Sequence, residues 1–399
     1  MLFSRRHSKK PFIYLDYAAA TPLDPDVAAV MAPYQDERYG NPSSLHQLGK
    51  QSRVAVDAAR RSVADSLGGH TDEIIFTPSG TASDNLAILG VVRAAPVDKP
   101  HVITSAIEHD AVRQPLLALE AEGAITLTVI PVGSSGIVDA GAVLSAVKGD
   151  TVLVSVMYAN NEVGSIQPVE TIGRALKRLN KTRAVEQKHP VYFHSDACQA
   201  AAFLPLAVEK LGVDLLTLNA GKIYGPKGIG ALFIRRGVIL RPLVYGGGQE
   251  LGLVSGTENV SSIVGLASAL HLARRNNETE AIRLTKLRDY FIKAIKAIIP
   301  EARLNGHPVE RLPNNVSVTL PGIDGEALVV YLSEQGIYAG TGAACAGAKG
   351  EPSHVLAAIG LDSAAVAGAV RFTLGRATER EDIDTVLRVL PEVLRFVRR

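Results

Sequence analysis

Residues 191–228, VYFHSDACQAAAFLPLAVEKLGVDLLTLNAGKIYGPKG, contain one complete strand–helix–strand step. The runs 191–194 and 215–219 are short and largely apolar, which is typical of strands that helices cover on both faces. Each run is followed by a polar or glycine-rich segment, SDACQ in the first case and AGKIYGPKG in the second. In an open parallel sheet, such segments meet in the crevice beyond the carboxyl ends of the strands. We therefore expect Asp196 and Lys222 to face one crevice.

The same alternation continues through the first two thirds of the chain. Further apolar runs that read as strands are 73–77, 101–105, 124–132, 151–157 and 230–234. Helical segments lie between them. In one of these, residues 46–68, the apolar side chains recur at near-helical spacing before a glycine stop, namely at Val54, Ala58, Val63 and Leu67. This alternation predicts an α/β domain with a mostly parallel seven-stranded sheet.

The last third of the chain has a different pattern. A long helix is predicted over about 261–298, a weaker strand in 314–320, and a final helix from Glu379. This is typical of a smaller α+β domain that closes over the first, and it carries Cys345 and Arg371. The predicted boundaries are 16–260 for the large domain, and 1–15 together with 261–399 for the small domain.

Composition and charge limit the class of protein. The chain has 399 residues, is 47% hydrophobic and carries a formal net charge of +2, which is typical of a globular protein and not of a dedicated nucleic-acid binder. Its two cysteines, Cys198 and Cys345, cannot form a disulfide framework and fit a reducing compartment. No apolar run approaches the roughly 18 residues of a membrane span, and Asp16 interrupts any secretory signal. We expect a cytoplasmic protein, an enzyme or a scaffold, with a disordered tail favoured over a targeting extension at its start.

Polar side chains follow five of the predicted strands. In chain order they are Gly80 and Thr81, Glu108 and His109, Asn161, Asp196 and Gln199, and Lys222. Each has an ordinary explanation when taken alone, such as a helix cap or a solvated lysine. Together they match the needs of one cofactor. Pyridoxal phosphate requires a Schiff-base lysine, a carboxylate at its ring nitrogen and an anion site for its phosphate.

Ordered sequence blocks along nearly the whole chain point to one family. They are YLDYAAATP, GNPSSLHQLG, EH-AV, ANNEVGSIQPV, FHSDACQA, KIYGPKGIGALF, GGGQE-G, SGTENV, TGAAC, EPSHVLAAIG and RFTLGR. In their order and spacing they resemble the cysteine desulfurases of the NifS/IscS type, in the class V aminotransferase group. The resemblance implies the fold-type I architecture of pyridoxal-phosphate-dependent transferases. It also implies that sulfur is removed from L-cysteine to give L-alanine.

The resemblance implies roles for four side chains around the cofactor ring. Lys222 would form the Schiff base with pyridoxal phosphate and later move protons. Asp196 would keep the ring nitrogen protonated, and Gln199 would approach the phenolic oxygen of the ring. His109 would stack on the ring and take part in proton transfer.

Further roles concern the phosphate and the substrate. Gly80 and Thr81 would hold the phosphate, helped by Thr257 of the neighbouring subunit, so the resemblance implies a homodimer. Asn161 would lie beside cofactor and substrate. Arg371 would bind the substrate carboxylate, a contact that suits bidentate guanidinium geometry. A surface ion pair is the structural alternative for Arg371.

Cys345 lies in the glycine-rich run TGAACAGAKG, residues 341–350. By the resemblance, its thiolate attacks the substrate sulfur and becomes a persulfide. That sulfur would pass to an acceptor such as an iron–sulfur scaffold or a tRNA-thiolation enzyme. No metal site is implied, although Cys345 would be able to ligate transiently a cluster shared with a scaffold. The alternative is a small buried apolar side chain, which is how we interpret Cys198.

The chain departs from the family pattern at five positions. Asn219 and Gly221 stand where Ser and His usually precede the Schiff-base lysine, and Ala82 stands where Glu is usual. Leu251 and Val254 replace two arginines in QELGLVSGT. Asn219 can still donate a hydrogen bond, and we count it among the cofactor-binding residues. Because phosphate contacts are lost, we expect looser cofactor retention or slower turnover.

Two other classes of function remain open at the level of sequence. One is a different reaction on the same scaffold, namely selenocysteine cleavage, β-elimination or transamination. The other is a degenerate, non-catalytic paralogue that acts as a partner protein.

Overall fold

The structure is a computed structural model that describes residues 12–341 and 352–397. Its strands are β1 (Ile13–Leu15), β2 (Ile74–Thr77), β3 (His101–Ser105), β4 (Thr126–Ile130), β5 (Thr151–Ser155), β6 (Tyr192–Asp196), β7 (Leu215–Asn219), β8 (Gly230–Ile234), β9 (Arg303–Leu304), β10 (Asn315–Thr319), β11 (Ile337–Thr341) and β12 (Ala369–Thr373). Its α-helices are α1 (Pro25–Met31), α2 (Pro33–Asp36), α3 (Gln47–Leu67), α4 (Gly80–Ala94), α5 (Asp110–Ala121), α6 (Ala140–Ser145), α7 (Val169–Val185), α8 (Val208–Leu211), α9 (Val260–Ile298), α10 (Gly325–Glu334), α11 (His354–Ala358), α12 (Ser363–Ala367) and α13 (Arg380–Val397).

The larger sheet confirms the predicted fold class. It has seven strands in the order β2-β8-β7-β6-β5-β3-β4, and each corresponds to one of the apolar runs identified in the sequence. The strands are parallel except for β8, which runs antiparallel to both of its neighbours. Every residue of β2, β3 and β5 is buried, because helices cover both faces of the sheet.

The carboxyl ends of the parallel strands place the polar segments at one edge of this sheet. After β2 the chain enters α4, where the Ser79 hydroxyl accepts a hydrogen bond from the Ala82 N–H. After β3 it enters α5, where His109 Nδ1 accepts from the Ala111 N–H. Both residues cap their helices by satisfying an N–H group that has no partner in the first turn.

Helix α3 confirms the helix predicted from the spacing of Val54, Ala58, Val63 and Leu67, of which only Val63 and Leu67 are buried. Val54 is 67% exposed, and Ala58 is exposed as well. The buried apolar side chains are those of Ala55, Val56, Ala59, Val63, Ala64 and Leu67. This face packs against α9, and its alanines allow the two helices to approach closely. The helical periodicity indicated the helix, but the position of α9 decides which face of α3 is buried.

A second, five-stranded sheet has the order β1-β11-β12-β10-β9. Strand β1, from the start of the chain, pairs in parallel with β11, whereas β12 is antiparallel to both β11 and β10. Helix α9 has 39 residues, which corresponds to roughly 60 Å. Its first half contributes Leu266 and Leu270 to the core of the larger sheet, and its second half contributes Phe291 and Ile295 to the core of the smaller one. The division into 16–260 and 1–15 with 261–399 stays a prediction.

None of the helices within residues 12–341 and 352–397 is both long enough and apolar enough to cross a membrane.

Candidate active site

A pocket of about 260 Å³ opens at the carboxyl edge of the seven-stranded sheet. It brings together most of the residues singled out in the sequence: Gly80, Thr81, His109, Asn161, Asp196, Gln199, Asn219, Lys222 and Arg371. Thr257 lines a separate pocket of its own chain, beside Phe76 and Ser255. Cys345 lies outside the described residues.

Lys222 follows β7 and extends into the pocket from a short 3-10 turn, Ala220–Lys222. Its Nζ donates to the carbonyl oxygens of Ala18 at 2.8 Å and Ala19 at 2.6 Å. Gln199 Nε2 donates to the same Ala18 oxygen at 2.9 Å. The segment after β1 therefore forms one side of the pocket and orients both the amine and the amide.

Asn219 occupies a family position for phosphate contact, but here its side chain also shapes the backbone. Its Oδ1 accepts the Gly221 N–H at 3.0 Å, which starts the turn that leads to Lys222. The Gly221 carbonyl oxygen in turn accepts from the N–H of Thr21 at 3.0 Å. The Asn219 amide nitrogen faces the start of α4, where it can act as a donor. A Cβ atom added to Gly80 would lie 3.4 Å from this nitrogen.

Asp196 ends β6 and is 7% exposed. Its Oδ1 accepts the Cys198 N–H at 2.8 Å, which fixes the orientation of the carboxylate. Asp84, from α4, lines the same pocket and is 1% exposed. Burial, and then the charge of Asp196, raise the pKa of Asp84 well above its usual range. Burial therefore favours the neutral form of Asp84.

His194 lies next to these acids in the core of the sheet. Its Nδ1 contacts the Ser155 hydroxyl at 2.8 Å and its Nε2 contacts the Thr217 hydroxyl at 3.1 Å. Its Nε2 also lies 3.4 Å from Asp84 Oδ1. Burial lowers the pKa of His194 to about 4, so the imidazole is neutral near pH 7. It supports the acids without adding charge.

The thiol of Cys198 fills the space between Asp196 and the start of α4. A Cβ atom added to Gly80 would lie 2.8 Å from Cys198 Sγ, so the glycine is what allows the helix start to approach this closely. Burial, together with the neighbouring Asp196 and Asp84, raises the pKa of the Cys198 thiol well above its usual value. Cys198 is therefore a neutral packing side chain, since nucleophilic cysteines are thiolates.

The N-terminal turn of α4 is the anion-binding element of the pocket. Gly80 and Thr81 are the first two residues of this 15-residue helix and both line the pocket. N–H groups in the first turn of a helix have no intrahelical acceptor and carry partial positive charge. Such a turn can bind a phosphate group.

Glu108 connects the ends of β3 and β5 beneath the pocket. Its two carboxyl oxygens lie 3.0 and 3.1 Å from the Met157 N–H, and the Ser105 hydroxyl donates to Oε1. Burial raises the pKa of Glu108 to about 8. The side chain is therefore an uncharged structural contact that fixes the loop bearing His109.

The opposite wall of the pocket comes from the smaller sheet. Arg371, on β12, has a side chain that is 2% exposed, so a surface ion pair is ruled out for it. Its Nη2 pairs with Asp16 Oδ1 at 2.8 Å, and its Nη1 donates to the Asn161 carbonyl oxygen at 3.1 Å. Arg371 Nε is buried and has no hydrogen-bond partner among the described residues. The guanidinium is thus positioned by two neighbours and keeps a donor for a bound anion.

Glu162 and Ser353 complete this wall. Glu162 Oε2 accepts a hydrogen bond from the Ser353 hydroxyl at 2.5 Å. His354, the next residue, contacts the Glu108 carbonyl oxygen at 2.9 Å through its Nε2. Burial raises the pKa of Glu162 to about 7. An acid that titrates near neutral pH therefore lies beside the buried guanidinium.

Sequence reasoning did not single out four residues of this region: Asp84, Glu162 and Ser353, which line the pocket, and Asp16, which pairs with Arg371. Three of them stand inside the blocks that carry the family resemblance, so the signal was present. Asp84 lies one helical turn after Gly80 and Thr81, which places it on the same face of α4. The patterns alone did not indicate that these side chains are buried against one another.

The segment that carries Thr257 is held in place by ion pairs within the chain. Glu250 pairs with Arg60 at 2.6 Å and accepts the Phe76 N–H at 2.7 Å. Leu251 has left-handed backbone, with φ at 56°, and is 71% exposed. Val254 instead packs against the apolar cluster around Leu232. The two side chains that stand in place of arginines thus differ: Leu251 faces solvent, and Val254 is in an apolar environment.

The donor set of the pocket fits pyridoxal phosphate. It supplies an amine from Lys222, a buried carboxylate from Asp196, a helix start at Gly80 and an imidazole from His109. These are the groups that this cofactor requires.

Comparisons with known proteins agree with this geometry. The family model described as aminotransferase class-V matches residues 13–386. A protein named cysteine desulfurase IscS from Methanosarcina thermophila is 45% identical over 386 residues, covering 97% of this chain and 93% of that protein. A protein of the same name from Dictyoglomus turgidum is 42% identical over 386 residues, covering 97% of this chain and 95% of that protein.

Solved structures show the same similarity. A structure described as a NifS-like protein superposes with a TM-score of 0.88 at 38% identity, covering 97% of this chain and all of that one (100%). Another, described as a NifS-like protein from Rickettsia africae, gives 0.84 at 29% identity, covering 96% of this chain and 99% of that one.

Proposed function

The chain belongs to the class-V aminotransferase family, and on this premise we propose that it is a cysteine desulfurase dependent on pyridoxal phosphate. One observation carries the proposal: Lys222, Asp196, His109 and Arg371 line a single pocket although they come from distant parts of the chain. When bound, the cofactor withdraws electrons from the carbon skeleton of the attached amino acid. The residues of the chain then decide which bond breaks.

The cofactor side is assigned to the larger sheet. Lys222 would hold the cofactor through its amine and would afterwards move protons. The Ala18 and Ala19 carbonyl oxygens position this amine. Asp196 keeps the ring nitrogen protonated. His109 would stack on the ring, and Gln199 would approach its phenolic oxygen.

The phosphate is assigned to Gly80, Thr81 and Asn219, together with Thr257 of the partner subunit of a homodimer. The assignment across subunits is supported by the position of Thr257, which lines a different pocket from the one that holds Lys222. A dimer in which Thr257 approaches the partner's pocket would satisfy both observations.

The substrate side is assigned to Arg371 and Asn161, which bind the carboxylate of L-cysteine. Cys345 acts as the nucleophile, although it lies outside the described residues. The C–S bond of the substrate breaks and its electron pair stays on carbon, which takes up a proton and leaves as L-alanine. An S–S bond forms on the Cys345 thiolate, giving a persulfide.

The persulfide then passes its outer sulfur to an acceptor protein, such as an iron–sulfur scaffold or a tRNA-thiolation enzyme in the cytoplasm. A thiolate that reaches both substrate and acceptor suits the glycine-rich run that surrounds Cys345.

The test is product analysis of the holoenzyme with L-cysteine and a reductant. We expect alanine and sulfide in equal amounts, and we expect Cys345→Ala to lose both while keeping the yellow colour of the bound cofactor. Cys198→Ala is the matched control and should retain both products, because its thiol is uncharged and packed.

Other outcomes identify other functions. Sulfide that survives in Cys345→Ala, or accompanying pyruvate, would indicate β-elimination. Turnover of selenocysteine that far exceeds that of cysteine would indicate a selenocysteine lyase. A colourless protein that cannot take up the cofactor would indicate a non-catalytic partner.

A further inference from the structure

Glu162 lines the pocket next to the substrate residues and has no part in the function proposed above. Its N–H donates to Asn160 Oδ1 at 2.8 Å, and its Oε2 accepts from the Ser353 hydroxyl at 2.5 Å. The adjacent residue, Asn161, accepts from Arg371 Nη1 through its carbonyl oxygen. The backbone of Glu162 and one of its carboxyl oxygens are therefore held in place, in the wall that would receive the substrate carboxylate.

The charges of this wall leave little room for another anion. The positive charge of Arg371 is already paired with Asp16, at 2.8 Å. A substrate carboxylate adds a second negative charge opposite the same guanidinium. If Glu162 were ionised as well, three carboxylates would face one cation in a partly desolvated pocket, where like charges repel strongly.

We propose that Glu162 is a proton-holding residue of the substrate pocket, and that the amino-acid carboxylate binds only while Glu162 is protonated. This inference rests on the proposed function, since it concerns the substrate of that site. By linkage, substrate binding must then favour proton uptake by Glu162 to the same extent that protonation favours substrate binding.

The surroundings of Glu162 place its titration in a useful range. Burial raises its pKa to about 7, Asp110 acts in the same direction, and Ser353, Arg371 and His109 lower the pKa. A carboxylate bound at Arg371 would cancel one of the influences that lower the pKa of Glu162, so the proton would be held more firmly in the complex.

Three further titratable groups lie in this region of the pocket. His354, the residue after Ser353, has a pKa lowered by burial and is neutral near pH 7. Asp16 faces Arg371 from the segment after β1 and is already paired with it. Asp110 begins α5, and its carboxyl lies 3.5 Å from Arg113.

The direction of the pH effect follows from these charges. Below pH 7 Glu162 is protonated and the pocket accepts the carboxylate. Above pH 7 it ionises, and the apparent dissociation constant rises as the protonated fraction falls. With a pKa of about 7, the dissociation constant should rise about tenfold between pH 6 and pH 8.

The experiment measures binding of L-alanine to the holoenzyme by calorimetry between pH 6 and pH 8.5, in two buffers with different ionisation enthalpies. L-alanine has no thiol, so the titration of the substrate sulfur does not enter. For the unmodified protein we expect the tenfold weakening and a net proton uptake above pH 7. Glu162→Gln keeps the acceptor oxygen for Ser353 and should lose both the weakening and the uptake.

Controls separate Glu162 from other titrating groups. The amine of L-alanine and the cofactor titrate alike in both proteins, so the difference between them reports Glu162. Glu122→Gln, at an exposed helix end, should behave like the unmodified protein. Ser353→Ala removes a donor that lowers the pKa of Glu162, and should therefore shift the weakening to higher pH.

The inference is overturned if Glu162→Gln keeps the pH dependence and proton uptake, or if it binds L-alanine weakly at every pH. A Ser353→Ala shift to lower pH overturns it as well. Failure of the proposed function is a separate result: the holoenzyme would then form no alanine from L-cysteine at pH 6.5, whatever the L-alanine binding curves show.

Discussion

The two walls of the pocket are built in different ways. The inner wall comes from the larger sheet, where Asp84 and His194 are buried at 1% and 0% exposure, and burial favours the neutral form of both side chains. The outer wall contains Arg371 paired with Asp16, whose side chain is 21% exposed. It also contains Glu162, with a pKa of about 7. Burial thus keeps Asp84 and His194 from adding charge to the inner wall, whereas the outer wall can change its charge where the substrate binds.

The strongest test of the inner wall removes its amine. We expect Lys222→Ala to lower alanine formation at least about a thousandfold, since it removes both covalent attachment and proton transfer. Borohydride reduction should fix the cofactor on the unmodified protein and not on the variant. Lys227→Ala is the matched control, because Lys227 donates to the Thr21 carbonyl oxygen from the same loop. Covalent fixation on the Lys222 variant would contradict the assignment.

A second test concerns the close packing of the inner wall. In Gly80→Ala the new Cβ would lie 2.8 Å from Cys198 Sγ and 3.2 Å from Asn219 Cβ. We expect overpacking to lower the free energy of unfolding by about 1–3 kcal/mol and to weaken cofactor retention, as measured by urea unfolding and dialysis. The double variant with Cys198→Ala should recover part of the free energy of unfolding and part of the cofactor retention.

Gly149→Ala is the control for this test, because among the described residues other than its chain neighbours none has an atom within 4 Å of its added Cβ. A Gly80→Ala protein as stable as that control would show that the start of α4 can move away from Cys198.

A third test concerns Glu108, the buried acid beneath the inner wall. The pKa of Glu108 is raised from 4.5 to about 8 in the folded protein, so the folded state holds a proton that the unfolded state releases. Its stabilising contribution is complete below pH 4.5 and is lost as the pH rises toward 8. Between pH 6 and pH 7 the free energy of unfolding of the unmodified protein should fall by about 1.4 kcal/mol because of this group. In Glu108→Gln this decrease should be absent.

The measurement is the free energy of unfolding from urea titrations at both pH values, with the exposed Glu122→Gln as the reference. Equal pH slopes for the Glu108 variant and the unmodified protein would show that this carboxyl is ionised in the fold.

The smallest expected effect lies in the outer wall. Asp16→Asn keeps an oxygen for Arg371 Nη2 but removes the charge that competes with a bound carboxylate. We expect L-alanine to bind about fivefold more tightly, which corresponds to ~1 kcal/mol, when measured by calorimetry at pH 6.5. Weaker binding would show that Asp16 mainly orients the guanidinium. A charge effect should be absent for a neutral ligand such as alaninamide.

Much of the inner wall could be predicted from the sequence. The strands of the larger sheet are continuous apolar runs, and the site residues directly follow them, so local pattern and parallel topology suffice to bring Asp196 and Lys222 together. The periodicity of α3 indicated a helix but not which of its faces is buried, because the position of α9 selects the face that is covered. Asp84 was missed for a similar reason: burial against Asp196 is a property of packing.

What the sequence determined by itself was the seven-stranded sheet, the family and the residues at the strand ends, because these depend on periodicity and on short ordered motifs. The tertiary structure alone decided the outer wall. Asp16, Glu162, Ser353 and Arg371 are far apart in the chain. Asp16 and Arg371 meet because β1 and β12 belong to one sheet, whereas Glu162 comes from the loop after β5 of the other sheet and bonds to Ser353. Their charges depend on desolvation and on neighbours brought by folding. The identity of these residues is readable in the sequence, but the protonation of Glu162 arises only in the folded protein.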